Sequence, residues 1–294
     1  MKMSLTAAAA ALLFVFLAHL PQKGAGFIFD KGAGFIFASA VADETGKTVV
    51  AIIGTGDMGD SLGPRLAGLG YPVVYGTRDP NGEKTQQLLQ VTGHNATAMS
   101  AADAASRGRI VILAVPWPAM ESVAQNLGSL DGKIVIDISM PSVQGDDGYH
   151  VPLLETSSAE MIQSWNPGAH VVKAFATQGS FIIDDPDAVG GPATVPIASN
   201  DRAAKETVAR LAAEMGLDPV DAGPLRMARE IEALQRLYMV PILQRRDAAF
   251  EPYFRRSYYW ECIWGDDWTE PVADADDLAD IPETQGPARA CPGP

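Results

Sequence analysis

Six consecutive residues, Gly54-Thr55-Gly56-Asp57-Met58-Gly59, have the types and spacing that cradle an anionic diphosphate. The apolar run 49–53 precedes them and a helix-forming segment follows, the setting in which such a glycine loop holds a dinucleotide pyrophosphate. Gly54 permits a tight turn, Gly56 lets the backbone approach phosphate, and Gly59 lets the helix pack close to the sheet. Backbone N–H groups at the start of that helix attract the anion. Asp57 is the awkward member, because a carboxylate beside a pyrophosphate repels it unless it points away or caps the helix, and capping is the reading adopted.

A second strand about twenty residues on ends in Gly76-Thr77-Arg78. A site selective for NAD(H) would carry Asp or Glu there to bind the ribose hydroxyls, and a carboxylate would repel a 2′-phosphate. Thr77 and Arg78 instead donate hydrogen bonds and positive charge to such a phosphate, so the expected cofactor is NADP(H). Lys84, six residues after Arg78, either adds charge at the same phosphate or stands apart as a surface lysine. Val115 and Pro116 close a continuous apolar run at the strand edge where ligands bind in open α/β sheets. Met140 and Ala176, each just after a later strand, complete the expected cofactor contacts. Trp117 either walls the nicotinamide pocket or packs against the following helix. Lys173 lies on a strand and is expected to snorkel or pair at a sheet edge, with a role in the site as the alternative. Thr177 and Gln178 follow that strand and are candidates to face the nicotinamide. The four histidines form neither a Ser/His/Asp set nor a metal cluster, and no residue is assigned as catalytic or metal-binding.

The elements that must position these residues alternate strand and helix from residue 48 onward. Such alternation with short turns implies parallel strands joined by crossover helices, an α/β fold. Strands are expected at 49–53, 73–75, 110–115, 133–138, 170–175, 193–198 and 218–221. Helices are expected at 58–69, 84–92, 101–106, 118–127, 158–164 and 201–215, the last capped by Asn200 or Asp201 and ended by Gly216. A final helix runs from Pro224 to about residue 244, with Pro241 expected to kink or end it. Its apolar residues Leu225, Ala228, Ile231, Leu234, Leu237 and Val240 share one face, as in a packed or dimer-forming helix.

Together with Ile110-Val-Ile-Leu-Ala-Val-Pro116-Trp117, Lys133-Ile-Val-Ile-Asp137-Ile-Ser139-Met-Pro141, Val171-Val-Lys173-Ala-Phe175 and Asp221-Ala-Gly-Pro-Leu225, the glycine loop resembles the NADPH-dependent F420 reductases. These oxidoreductases exchange hydride between NADP and the deazaflavin coenzyme F420, and the same module forms the reductase domain of STEAP-type metalloreductases. The resemblance covers residues 48–246. It implies a Rossmann-type, doubly wound, mostly parallel sheet with a C-terminal helical extension that helps form the acceptor pocket and the subunit contact.

Composition bounds the rest. At 294 residues with 47% apolar content the chain can bury a sizeable core, and the net charge of −14 argues against nucleic acid or an anionic membrane as partner. Residues 261–294 carry nine acidic residues against one basic and lack apolar periodicity, so a solvated tail is expected there. Cys262 and Cys291 make no metal spacing, and a bridge between them would constrain little. The aromatic residues between Phe250 and Trp268 either pack back onto the domain or stack a flat cofactor. At the other end, Lys2, the apolar run 5–20 and the small-residue pattern Ala38-Ser39-Ala40 read as an export signal with a mature start near Val41. A tandem eight-residue duplication, 23–30 and 31–38, lengthens it. An uncleaved anchor, or a cytoplasmic protein that starts near Lys47, is the alternative.

The organisation expected is therefore a signal over 1–40, an NADP-binding domain over 41–222, a helical segment over 223–260 and an acidic tail over 261–294. The function expected is hydride transfer between NADPH and a small-molecule acceptor, deazaflavin F420 or flavin-like, in a periplasmic or secreted protein, with a homodimer through the C-terminal helix. An exported nucleotide-binding module without turnover is the reading from another class. Direct hydride transfer needs proximity and orientation more than acid–base groups, so the lack of a catalytic set fits it.

Overall fold

The computed structural model describes residues 46–245 together with Tyr253 and Phe254. The segment expected to be an export signal, both cysteines, the acidic tail and most of the aromatic stretch lie outside the described residues.

Runs of Val and Ile make the central strands, because a strand covered by helices on both faces has no solvent side for polar residues to mark. β1 (Val50–Ile53) and β4 (Ile110–Leu113) are buried at every position. Between them run α1 (Asp57–Gly68), β2 (Val73–Gly76), α2 (Glu83–Thr92), β3 (Thr97–Met99) and α3 (Ala101–Arg107). After β4 come α4 (Trp117–Gln125), β5 (Ile134–Asp137), a hairpin of β6 (Ser142–Gln144) and β7 (His150–Pro152), α5 (Ser158–Trp165) and β8 (His170–Lys173). The chain continues through α6 (Ser180–Asp184), β9 (Thr194–Ser199), α7 (Arg202–Glu214), β10 (Asp218–Gly223) and α8 (Ala228–Arg245).

Eight strands form one sheet in the order β10-β9-β8-β5-β4-β1-β2-β3. Every neighbouring pair is parallel except β8 with β9. β1 lies between β2 and β4, Val50 level with Val73 on one side and Ile110 on the other. Alternation along β1 divides the core. Val50 and Ile52 pack with Leu62 and Leu66 of α1 and Val208 and Leu211 of α7. Ala51 and Ile53 pack on the opposite face with Ala104 of α3, Met120 of α4 and Ile162 of α5. The sheet is thus doubly wound and mostly parallel, as expected.

Four elements were not expected. β3 and the two hairpin strands are each three residues long, too short to show a period. α6 has five residues. The α7 cap is Asp201, whose Oδ1 accepts from the N–H of Ala204 at 2.7 Å, and Gly216 follows the helix at φ +81°. Pro241 does not end the last helix, which continues to Arg245; a proline so placed removes one N–H from the ladder, and its ring crowds the carbonyl four residues before it. Of the aromatic stretch, Phe254 lies back on the domain, its N–H donating to Thr194 Oγ1 at 2.9 Å, and Tyr253 Oη donates to Gly191 O at 3.4 Å.

Candidate functional site

The carboxyl ends of β2, β1 and β4 open into one cavity of about 860 Å³. It lies where the winding reverses: β1 leads outward to β2 and β3, and the chain then crosses back to β4 on the other side of β1. In doubly wound sheets that crevice takes the ligand.

The glycine loop forms one wall. Gly54 has φ +117°, its N–H donates to Gly76 O at 3.0 Å, and a Cβ on it would stand 2.2 Å from Ala114 O. A Cβ on Gly59 would stand 2.3 Å from Gly54 O, so only glycine allows α1 to start this close to β1. Gly56 differs, because a Cβ there would meet nothing within 4 Å. Thr55 and Gly56 both line the cavity. Gly56 is also the N-cap of α1, with φ −86° and ψ −172° and no side chain capping it. The expected cap, Asp57, is instead the first residue inside the helix, because the extended conformation a cap requires belongs to Gly56. Asp57 is exposed, and the cavity lining does not include it.

Cations form the far wall. Thr77 continues the ladder past β2, donating its N–H to Met99 O at 3.0 Å, and Arg78 follows it, exposed. Lys84 is the second residue of α2. Thr77, Arg78 and Lys84 all line the cavity, and no carboxylate does so among the described residues. Ala114, Val115 and Pro116 after β4, with Ala119 and Val123 of α4, give an apolar side. Ser100 and Ala101 also line it and were missed from sequence. Their signal was Ser100 followed three residues later by Asp103, whose N–H donates to Ser100 Oγ at 3.2 Å as at a helix start.

Five expected contacts stand outside this lining, Asp57 among them. Gly59 acts through packing, as above. Met58 is half-buried against the α1 side of the core. Met140 is half-buried after β5, its carbonyl accepting from Ser142 N–H at 2.9 Å. Ala176 is 2% exposed and packs with Ala198 and Ile231 beneath α8. Phe175 before it has φ +55°, unusual for a bulky residue, and Thr177 and Gln178 after it are buried as well. Gln178 Nε2 donates to Thr177 Oγ1 and Thr194 O at 2.8 and 2.6 Å. Trp117 packs between helices, stacked on Trp165 with centroids 5.9 Å apart.

Lys173 departs furthest from expectation. It is not at a sheet edge: β8 lies between β5 and β9, and the side chain is fully buried. Its Nζ, with three N–H groups to give, stands within hydrogen-bonding distance of four oxygens: Asp137 Oδ2 at 2.9 Å, Ser139 O at 2.5 Å, Ser158 Oγ at 2.8 Å and Glu232 Oε1 at 3.0 Å. Ser158 Oγ also lies within hydrogen-bonding distance of Asp137 Oδ2 and Glu232 Oε1, and its single proton goes to one of the two. Nearby, Arg229 of α8 grips Glu160 of α5 with two hydrogen bonds of 2.7 and 2.6 Å. Those bonds hold the Glu160 carboxyl below its ordinary value of 4.5, against the opposing effect of burial. No group of three or more His, Cys, Asp or Glu that could hold a metal occurs among the described residues, and no helix there is long and apolar enough to cross a membrane.

Residues 49–141 match the family described as NADP oxidoreductase, coenzyme F420-dependent. The F420-dependent NADP reductase of Methanothermobacter thermautotrophicus is 30% identical over 202 residues, which cover 64% of this chain and 86% of that protein. The chain belongs to the F420-dependent NADP reductase family. A solved structure provisionally assigned as an F420-dependent NADP reductase, from Arthrobacter, agrees at 30% identity with a TM-score of 0.65, covering 71% of this chain and 100% of that one. The rat metalloreductase STEAP3 is 33% identical over 189 residues, 63% of this chain but 36% of that protein. This chain therefore spans about a third of the metalloreductase's length. The residues matched to the NADP oxidoreductase family include the whole cavity lining, from Ile53 to Val123. The Lys173 and Glu232 side of the buried cluster lies beyond them.

Proposed function

We propose that the chain is an NADP(H)-dependent oxidoreductase that transfers hydride between NADPH and a deazaflavin, coenzyme F420, or a flavin-like acceptor. One observation carries the reading: Arg78 and Lys84 line the same cavity as an uncapped helix N-terminus, without a carboxylate among the described lining residues. Uncapped N–H groups at the start of α1 suit a pyrophosphate, and the open space beside Gly56 leaves room for it. Thr77, Arg78 and Lys84 suit a 2′-phosphate, which a carboxylate at that strand end would repel. Val115 and Pro116 offer an apolar surface toward the nicotinamide half. The bound reduced nicotinamide supplies the hydride. The chain's own part is to orient, with no acid–base side chain required.

The deciding experiment is binding of NADPH and NADH to the protein, followed by NADPH oxidation with deazaflavin, flavin and ferric acceptors. Tighter NADPH binding and turnover with a deazaflavin or flavin support the proposal. Binding with no turnover of any acceptor supports a nucleotide-binding module instead, and equal affinity for both nucleotides overturns the NADP(H) assignment.

Two further proposals accompany this reading. Export to the periplasm or beyond follows from residues 1–40, and N-terminal sequencing of the native protein tests it: a start near Val41 is expected, and one near Lys47 removes it. A homodimer through α8 follows from Leu237, which is 67% exposed on its apolar stripe. Sedimentation of the wild type against Leu237→Lys measures it.

A further inference from the structure

The Lys173 cluster contains more charge than a stable fold requires. One ammonium and two carboxyl groups are buried, at 0% side-chain exposure for Lys173 and Asp137 and 3% for Glu232. Burying such groups is costly even when they are paired, and apolar residues of similar volume often serve stability as well or better. A cluster of this kind is better suited to fixing one arrangement of the segments that supply it.

Those segments converge from four parts of the chain. Asp137 ends β5 and is level with Lys173 at the end of β8. Asp137 Oδ1 accepts from the N–H of Ser139 at 2.9 Å and from its Oγ at 2.6 Å, while Lys173 Nζ holds the Ser139 carbonyl. Both sides of the Ser139 backbone are therefore tied to the cluster. Ser158, the first residue of α5, donates its N–H to Glu232 Oε1 at 2.9 Å. Glu232 belongs to α8. One lysine thus joins the turn after β5 to the C-terminal helix through contacts that all lie inside the protein.

The position of this junction matters. Strand order places the end of β5 next to the end of β4, whose Val115 and Pro116 line the cavity. A dinucleotide with its pyrophosphate on α1 and its adenosine phosphate at Arg78 extends its other half from β1 past β4, toward the turn at Ser139 and Met140. We propose that Lys173, Asp137 and Glu232 are positioning residues for the nicotinamide half of the nucleotide. They lock the Ser139 backbone against α8, so the turn that meets the ring keeps one orientation relative to that helix. The inference rests on the NADP(H) reading above. It adds that the two halves of the nucleotide depend on separable parts of the chain, the adenosine half on Arg78 and Lys84 and the nicotinamide half on a buried ion cluster that the cavity lining does not include.

Separability provides the test. Glu232→Gln keeps an oxygen acceptor and removes one buried charge, and the double variant Lys173→Met with Glu232→Gln removes both the ammonium and that carboxylate. Each is titrated with 2′,5′-ADP, which has only the adenosine half, and with NADPH, whose nicotinamide emission reports the ring's surroundings. Retained 2′,5′-ADP binding also shows that the variant is folded.

The expected result is 2′,5′-ADP affinity within about twofold of wild type, loss of the bound-state emission change, and an NADPH affinity about tenfold weaker. Where an acceptor turns over, the hydride-transfer rate falls by about 10²-fold, as for a misplacement of about 1 Å. Rescue of the emission change in Glu232→Asp but not in Glu232→Leu would add support. Equal effects on both ligands would reduce the cluster to a general structural role and overturn the proposal, as would no effect on either. If the wild type binds neither ligand, the NADP(H) reading fails first and the inference falls with it.

Discussion

The ring of Tyr75 fills the space that a side chain on Gly63 would occupy: a Cβ built there would lie 1.6 Å from Tyr75 Oη and 2.5 Å from Cζ. Through this contact α1 lies close on β2, which fixes where the first turn of α1 meets the cavity. Gly63→Ala gains about 1 kcal/mol of helix propensity but overpacks the core, a cost of about 1–3 kcal/mol or more where the neighbour is a rigid ring. Net destabilisation is expected in urea unfolding. Adding Tyr75→Phe should not rescue it, because the ring carbon remains in the way.

The same phenol should make stability fall at alkaline pH. Tyr75 Oη is bonded to Thr92 Oγ1 at 2.8 Å in the core, and burial pushes its pKa from 10.0 up to about 12. A raised value means that the fold favours the neutral phenol. Its contribution is complete below pH 10 and is lost as pH rises through about 12. Unfolding free energy measured across that window should decline more steeply for the wild type than for Tyr75→Phe.

Arg78 should set nucleotide preference. Removing a charge-assisted hydrogen bond costs about 1.5–3 kcal/mol, so Arg78→Ala should weaken NADPH binding by about 10–100-fold. NADH binding should hardly change. Lys84→Ala should act in the same direction with a smaller effect, and both effects should shrink with added salt. Parallel calorimetric titrations with the two nucleotides measure the difference.

Acid should loosen the hold of α8 on α5. The Arg229 guanidinium keeps the Glu160 carboxyl below 4.5, so the pair's contribution is present above that pH and disappears as pH falls through the lowered value. Arg229→Met should therefore melt lower than the wild type at pH 7. The gap should close as the pH is taken well below 4.5, and thermal unfolding at stepped pH measures it.

Fold class was legible because the buried strands are continuous apolar runs between helices with clear ends, and because Gly54, Gly56 and Gly59 have a spacing tied to one backbone geometry. Short pieces were not legible. Thr97–Met99 has three residues, so Ser100 and Ala101 beyond it were passed over even though they line the cavity. Ala176 follows a strand end as a cofactor contact would, yet the chain after Phe175 runs under α8 and buries it. Trp117 had two readings, and Trp165, 48 positions away in the chain, supplies the face it stacks on.

By itself the sequence determined which residues can meet a phosphate, since the backbone freedom of glycine and the charge of Arg78 are properties of the residues and of their immediate neighbours. It also determined the alternation of strand and helix, which depends on local periodicity. Only the tertiary structure decided that Gly56 rather than Asp57 is the cap of α1, and that Lys173 is a central buried cation held by Asp137, Ser158 and Glu232. The physical reason is range. Local geometry is encoded over a few residues, whereas the burial of a charge is set by partners 15 to 59 positions away, which meet only once the sheet is assembled.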